Sequence, residues 1–296
     1  MTKREKRNLA LGLAFTGPWI VGFSAFTLYP ALASFAYSLC DYSVLTKPVF
    51  IGLGNYRDLF TDQVYWKSVF NTFFYALLYL PLGTLFSLGL ALLLNTGVRG
   101  QALYRTLFFL PSVIPMISMA ILWLWMFNPH YGLVNHALAL VGLPGPQWLQ
   151  DPHWIKPAFA LMGVWTVGNA VVIYLAALQD VPRSLYEAAE LDGAQWHHKI
   201  RHVTLPMISP AIFFNVVMGL IATLQVFAVP YVMTFPVPGQ PARSALFYTM
   251  YLYESAFRYL RMGYACAMAV VMFLIILGLT WLFMRLSKRH VHYRGS

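Results

Sequence analysis

Charge is what this chain has least of: Asp, Glu, Lys and Arg make up 10% of its 296 residues, against 59% hydrophobic residues, where soluble domains carry about 25% charge. So little charge cannot cover a water-facing surface, which excludes an ordinary soluble domain. Cysteine is nearly absent too. Cys40 and Cys266 are the only two, too few for a disulfide framework, and both fall near the ends of apolar runs, where free cysteine behaves as a small buried residue. No G-x-x-x-x-G-K-[ST] phosphate loop occurs. The nearest spacing, Gly12 to Gly17, is followed by Pro18-Trp19 and lacks the lysine and hydroxyl that nucleotide and magnesium require. Neither a Ser–His–Asp order nor paired carboxylates stand out, which argues against a membrane-embedded transferase. His198 and His202 share an i,i+4 spacing used for zinc, but no His-Glu-x-x-His pattern surrounds them, and Lys199 and Arg201 repel a cation. No metal site is expected.

The few charges are clustered. None occurs from Asn8 to Cys40, Ser68 to Val98, Thr106 to Gln150, Pro157 to Gln179, Val203 to Ala242, or Met262 to Met284, and each gap exceeds the about 20 apolar residues that cross hydrocarbon as a helix. The expected fold is an all-α, polytopic membrane protein with six transmembrane helices, at about Leu11–Leu39, Ser68–Leu94, Thr106–Phe127, Pro157–Leu178, Ile208–Phe235 and Tyr264–Met284, in a single domain over 1–296. Asn128-Pro129 and the TFPVPGQPAR run supply stops in the two longest gaps. MTKREKR precedes an apolar run longer than the about 7–15 residues of a signal-peptide core, so this run is expected to be an uncleaved first helix. The Asn128–Lys156 loop is expected to need little fold of its own. Ala245–Leu260 has the length and the tyrosines of an interfacial helix.

Orientation follows from Lys and Arg, which are retained on the cytoplasmic side. The N-terminus, the second and fourth loops and the C-terminus hold Lys3, Arg4, Lys6, Arg7, Arg99, Arg105, Arg183, Lys199, Arg201, Arg285, Lys288, Arg289 and Arg294, which is 13 of the 20 basic residues. Both termini are therefore expected inside. The net charge of +10 reads as this topology signal, with no nucleic-acid patch. No charged residue lies inside the expected spans, which disfavours an ion-coupled secondary transporter with an intramembrane proton site, although unwound backbone carbonyls remain able to hold sodium.

Between the fourth and fifth spans lies a polar insert, residues 183–206, containing YEAAELDGAQWHHKIRHVTLP. Ser184 and Glu187 have capping-box spacing, which predicts a helix start there. Asp192-Gly193 ends that helix, because glycine tolerates the left-handed conformation, and a second helix is expected from Ala194 with Trp196, Ile200 and Val203 as its apolar stripe. Pro206 is expected to open the next apolar segment. Ala188 and Ala189 leave room for close approach by a partner, and Glu187 and Glu190 present carboxylates at i,i+3.

The order Glu-Ala-Ala, Asp-Gly-Ala, Thr-Leu-Pro resembles the EAA loop of permease subunits of binding-protein-dependent ABC importers. GLGNYRDLF, LPSVIPMISMAILWLWMFNPHYGLVN, LAALQDVP and MGYACAMAVVMFLIILGLTWLF are similar to the carbohydrate-uptake group. NPHYGLVN and RHVHY are similar to the first permease of maltose- and glycerol-3-phosphate-type importers. Where family members commonly carry Thr-Gly-Gly-Gly-Pro, this chain has Thr234-Phe235-Pro236-Val237-Pro238.

The resemblance implies an ABC type I importer permease fold in a bacterial inner membrane, with no enzymatic activity of its own. It implies as partners a second homologous permease, a cytoplasmic ATPase dimer that binds ATP and Mg, an external solute-binding protein, a carbohydrate substrate and membrane lipid. Glu187, Ala188, Ala189, Asp192, Gly193, Ala194, Leu205 and Pro206 are the implied ATPase-coupling residues. Polar residues in the spans are scarce, namely Asn71, Ser87, Thr166, Asn169, Asn215, Thr223 and Gln225. The expected substrate pathway draws on Trp165, Asn169, Thr223, Gln225 and Phe227, since a sugar needs hydrogen-bonding groups beside aromatic faces.

Overall fold

The computed structural model describes residues 2–96 and 100–287. Arg99, Lys288, Arg289, Arg294 and the RHVHY run therefore lie outside the described residues. Helices follow in the order α1 (Lys3–Phe23), α2 (Tyr29–Tyr37), α3 (Gly54–Thr61), α4 (Gln63–Leu94), α5 (Gln101–Phe109), α6 (Met116–Met126), α7 (Leu133–Leu140) and α8 (Ile155–Trp165). They continue as α9 (Gly168–Gln179), α10 (Arg183–Leu191), α11 (Trp196–Lys199), α12 (Leu205–Met207), α13 (Ser209–Leu224), α14 (Ala228–Met233), α15 (Tyr248–Tyr253) and α16 (Met262–Ser287). The expected all-α fold is present. Its described strands are one short antiparallel pair, β1 (Cys40–Asp41) with β2 (Val49–Phe50).

Four stretches are long and apolar enough to cross a bilayer: Leu11–Tyr37, Gln63–Leu94, Ser209–Met233 and Met262–Ser287. The third and fourth expected spans are broken pairs, α5 with α6 bent by 100° and α8 with α9 bent by 47°. Each pair counted as one span gives six. The expectation of a continuous third helix over Thr106–Phe127 is thus corrected, and the cause lies in LPSVIP. Residues preceding proline avoid helical backbone. Ile114, before Pro115, is extended at φ −67°, ψ 130°, and Pro115 itself caps α6. The fifth span breaks at Gln225–Phe227, where Phe227 takes φ −140°, ψ −63°.

The chain divides into two compact units. One is built from the described residues of Met1–Asp62 with Leu252–Ile275. Its first helix opens on a capping box, Thr2 Oγ1 accepting from the Glu5 amide while Glu5 Oε2 accepts from the Thr2 amide. Hydrogen bonding slips to π register over Ser24–Leu28, just before Pro30, which has no N–H to continue an α-helical ladder. Asn55, from the GLGNYRDLF segment, is buried and donates to the carbonyls of Ser38 (2.9 Å) and Cys40 (2.8 Å). Tyr264 donates to Asp62 at 2.8 Å, so the start of α16 is tied beside α3.

The other unit is built from the described residues of Gln63–Tyr251 with Ile276–Ser296. α4 lies at its centre, packed against α8, α9 and α13. Within the segment expected to form a helix over Ala245–Leu260, helix is present from Tyr248, and Ala245, Leu246, Phe247, Tyr248 and Met250 are buried. Asn71 Nδ2 donates to the carbonyls of Arg243 (2.9 Å) and Leu246 (3.0 Å), and Thr72 Oγ1 accepts from the Tyr248 amide at 2.9 Å. Those bonds hold Phe247 against the rings of Tyr75 and Phe159.

Lys156, expected in a solvent-facing loop, is only 9% exposed in the first turn of α8. Its Nζ donates to Ser244 O at 3.2 Å and Asn71 Oδ1 at 3.4 Å. The loop before it also has more fold than expected. It contains α7, and Trp148 is buried, donating from Nε1 to Asn135 Oδ1 at 2.6 Å and packing against Phe127 and Trp154.

Candidate functional site

The polar insert forms two short helices with a defined bend. α10 starts two residues earlier than expected, with Pro182 at its cap in place of Ser184 and no side-chain capping bond. Ser184 therefore lies in the first turn, and the expected Ser184–Glu187 box is not formed. At the other end the Gly193 amide bonds Glu190 O at 3.0 Å, and the Ala194 amide reaches back to Ala189 O at 2.9 Å. With Gly193 at φ +75°, this is the double hydrogen bond that closes helices through a left-handed glycine.

The second helix begins at Trp196 instead of Ala194 and turns into π register over Ile200–Thr204. The expected apolar stripe is incomplete. Ile200 and Val203 are half-buried, whereas Trp196 stands 74% exposed. Pro206 lies in the one-turn α12, and the long helix opens instead at Ser209-Pro210.

Two cross-links hold the bend. Lys199 Nζ donates to Glu190 Oε1 at 2.6 Å, and the hydroxyls of Tyr186 and buried Thr204 are 3.0 Å apart. Beneath them Tyr186, Val203, Leu205 and Met207 pack on a buried core that includes Leu94, Val171, Leu178 and Ile208. Because Glu190 is largely exposed, its ion pair contributes about 0–1 kcal/mol. The glycine turn and the apolar seat therefore fix the geometry. Glu187, Ala188, Asp192 and Gly193 are left facing outward, while Ala189 and Ala194 are half-buried.

The expected pathway residues are distributed over several places. Asn169 lines a cavity of about 430 Å³ among α4, α9 and α13, together with Thr84, Thr166 and Asn215. Sequence reasoning passed over Tyr79 and Tyr174 in its wall. The Tyr174 hydroxyl is fully buried beside Asn215. A stripe at Asn215, Met218, Gly219 and Ala222 faces this cavity and was readable from its helical spacing.

Thr223 lines an adjoining cavity of about 160 Å³ that shares Tyr79, Thr166 and Ala222 with the first. Its hydroxyl donates to carbonyls of its own helix, Gly219 and Leu220, both at 2.9 Å. Trp165 lines a third, apolar cavity. Gln225 is exposed at the end of α13, and Phe227 stacks on Tyr231. The described cavities of 430 and 160 Å³ include neither residue in their walls.

A bundle of broken apolar spans carrying this bent two-helix insert defines a membrane transport subunit, and a family model places it: residues 83–292 match the binding-protein-dependent transport system inner membrane component, and the chain belongs to that family. It is a multi-pass membrane permease with no enzymatic activity of its own. It is 40% identical to the probable ABC transporter permease protein YesP of Bacillus subtilis, over 99% of this chain and 94% of that protein. To the lactose transport system permease protein LacF of Rhizobium radiobacter it is 35% identical, over 92% of each chain. A chain in the crystal structure of a bacterial alginate ABC transporter, in complex with alginate pentasaccharide-bound periplasmic protein, superposes with a TM-score of 0.84. That match has 26% identity and covers 97% of this chain and 96% of the other.

Proposed function

We propose that this chain is one of two homologous permease subunits of an ABC sugar importer, forms half of the translocation path, and passes ATP-driven movement into it through residues 183–206. The observation that carries this reading is the bent insert, held in one geometry by the Gly193 turn and its apolar seat, with Glu187, Ala188 and Asp192 turned outward. Such a rigid knob fits a cleft on a separate cytoplasmic ATPase dimer, which binds the ATP and Mg. An external solute-binding protein delivers the sugar. A relative named as a lactose transport system permease and the structural likeness to an alginate transporter favour a carbohydrate substrate. Residues 1–296 act as one membrane domain in this reading. The mechanism is alternating access: closure of the ATPase pair moves the knob, and the broken spans above it open the Asn169 cavity to the opposite side.

Both termini and the 183–206 insert are placed in the cytoplasm by the distribution of basic residues. In a background lacking Cys40 and Cys266, a cysteine at exposed Ser184 is expected to resist an impermeant thiol reagent in intact cells. One at exposed Gln147 is expected to react. The reverse labelling pattern would invert the topology.

Asn169, which lines the 430 Å³ cavity, is the pathway residue the geometry favours. Asn169→Leu removes hydrogen bonding worth about 0.5–1.5 kcal/mol when paired, so sugar uptake is expected to fall about two- to tenfold while basal ATPase activity and membrane abundance hold. Gln225→Leu, away from that wall, is expected to change uptake less. Equal uptake by Asn169→Leu and the wild type would remove Asn169 from the path, and a parallel loss of abundance would assign it to helix packing.

A further inference from the structure

The turn before α15 holds backbone that its own residues disfavour. Ala242 and Arg243 stand consecutively in the left-handed region, at φ +49° and +58°, where the Cβ of an L-residue crowds the following carbonyl oxygen. Strained non-glycine backbone of this kind clusters at functional sites. Buried side chains from two helices hold it in place: Asn71 of α4 donates to the carbonyls of Arg243 and Leu246, and Lys156 of α8 donates to that of Ser244. Ala242 and Arg243 themselves are exposed, so the clamp presents Arg243 at the surface. Charge around the turn is of one sign. Among the described residues the Lys156 ammonium meets neutral groups, the oxygens of Ser244 and Asn71 and the ring of Phe74, and exposed Lys67, one turn before Asn71 on α4, stands close enough to repel it. Arg243 has no carboxylate partner among the described residues, whereas Arg258 and Arg261 pair with Glu254 and Asp58. Neither the 430 nor the 160 Å³ cavity has Lys67, Lys156 or Arg243 in its wall, so a sugar in those cavities does not supply the missing counter-charge.

We propose that Arg243, held out by Asn71 and Lys156, is a docking point for a carboxylate-bearing face of the external solute-binding protein. This rests on the importer reading above, in which that protein delivers sugar on the side that the basic-residue count places outside. A guanidinium meets a carboxylate with two parallel hydrogen bonds of fixed geometry. Its value therefore rises when both partners are rigid, and a clamped turn supplies that rigidity on this side. A lipid headgroup, free to move within its leaflet, needs no rigid turn to meet a cation, which favours the protein as the partner.

The test is the association rate of the importer's purified, sugar-loaded solute-binding protein with the intact importer in phosphatidylcholine nanodiscs. At ~0.01 M salt, where charges act over about 30 Å, Arg243→Asn is expected to slow association about three- to fivefold, a fraction of the roughly 10–10³ that a whole charged surface supplies. Asparagine tolerates left-handed backbone, so the loss reports the charge. Arg243→Lys is expected to keep most of the rate, and all rates to converge at ~1 M salt, where that reach falls to about 3 Å. Lys156→Met leaves the Arg243 charge in place but releases the clamp. It is expected to slow association as well and to add little in an Arg243→Asn background, a non-additivity that a general loss of fold would not produce. Equal rates for Arg243→Asn and a binding-competent wild type at low salt overturn this proposal alone, whereas a wild type that does not bind the protein overturns the importer reading with it. A difference that appears only once phosphatidylglycerol is added to the nanodiscs also overturns the proposal, because headgroups would then be the partner.

Discussion

Gly193→Val is expected to cut sugar-stimulated ATP hydrolysis by about five- to thirtyfold while the protein remains at normal abundance in the membrane. Gly193 stands at φ +75° with nothing within 4 Å of where a Cβ would project, so the injury is conformational and not a clash. An L-residue in the left-handed region costs about 1–2 kcal/mol, and a β-branched one is a true outlier there. Displacing the insert's equilibrium by about 1–2 kcal/mol changes its population by a factor of roughly 5–30. Gly193→Asn separates the explanations, because asparagine visits this region routinely. It is expected to keep most of the stimulation. Glu187→Lys reverses an exposed charge on the same knob and is expected to uncouple without altering the bend. Stimulation close to wild type in both Gly193→Val and Glu187→Lys, in an assembled complex, would refute the coupling role.

Gly168→Ala is expected to lower thermal stability and membrane abundance. The added Cβ would come 2.6 Å from the Phe108 carbonyl oxygen and 2.8 Å from Phe109 Cα. These are backbone atoms, which cannot rotate aside, so α9 and α5 must separate. Overpacking of this kind costs about 1–3 kcal/mol. Gly278→Ala in α16 meets nothing within 4 Å and is the matched control, neutral or slightly stabilising because alanine favours helix over glycine. Comparison of apparent melting temperatures in detergent decides the matter. If Gly168→Ala melts with the control, the close approach of these helices carries no weight.

The apolar gaps between charges made the spans legible, because hydrocarbon length is a constraint that composition alone reveals. Breaks within spans were harder. Pro111 and Pro115 carried a readable signal for the 100° turn, but the break at Thr166–Val167 has no proline and depends on Gly168 fitting against α5, a contact invisible in one dimension. Gly193 was readable from Asp-Gly-Ala, whereas the π register over Ile200–Thr204 and the exposure of Trp196 were not. Asn71, Thr223 and Lys156 show the general limit. Thr223 was expected in the substrate pathway, yet it bonds its own helix, whereas Asn71 and Lys156, given no pathway role, bond a distant backbone segment. Partner choice of that kind is set by packing, which spacing along the chain does not encode.

α4 is 32 residues long, about 48 Å at 1.5 Å per residue, and it is gripped near both ends by different parts of the chain. Leu94 belongs to the core on which the insert's Leu205 and Met207 rest. About 35 Å away along the same rod, Asn71 and Thr72 hold residues 243–248 by three hydrogen bonds. A tilt of the rod that follows the insert at one end must swing that segment at the other. The one weak joint between them is Pro81, whose missing N–H leaves the carbonyl one turn earlier without its helical donor. How stiff the helix is at Pro81 therefore sets how much of a push on one face of the bilayer arrives at the opposite face.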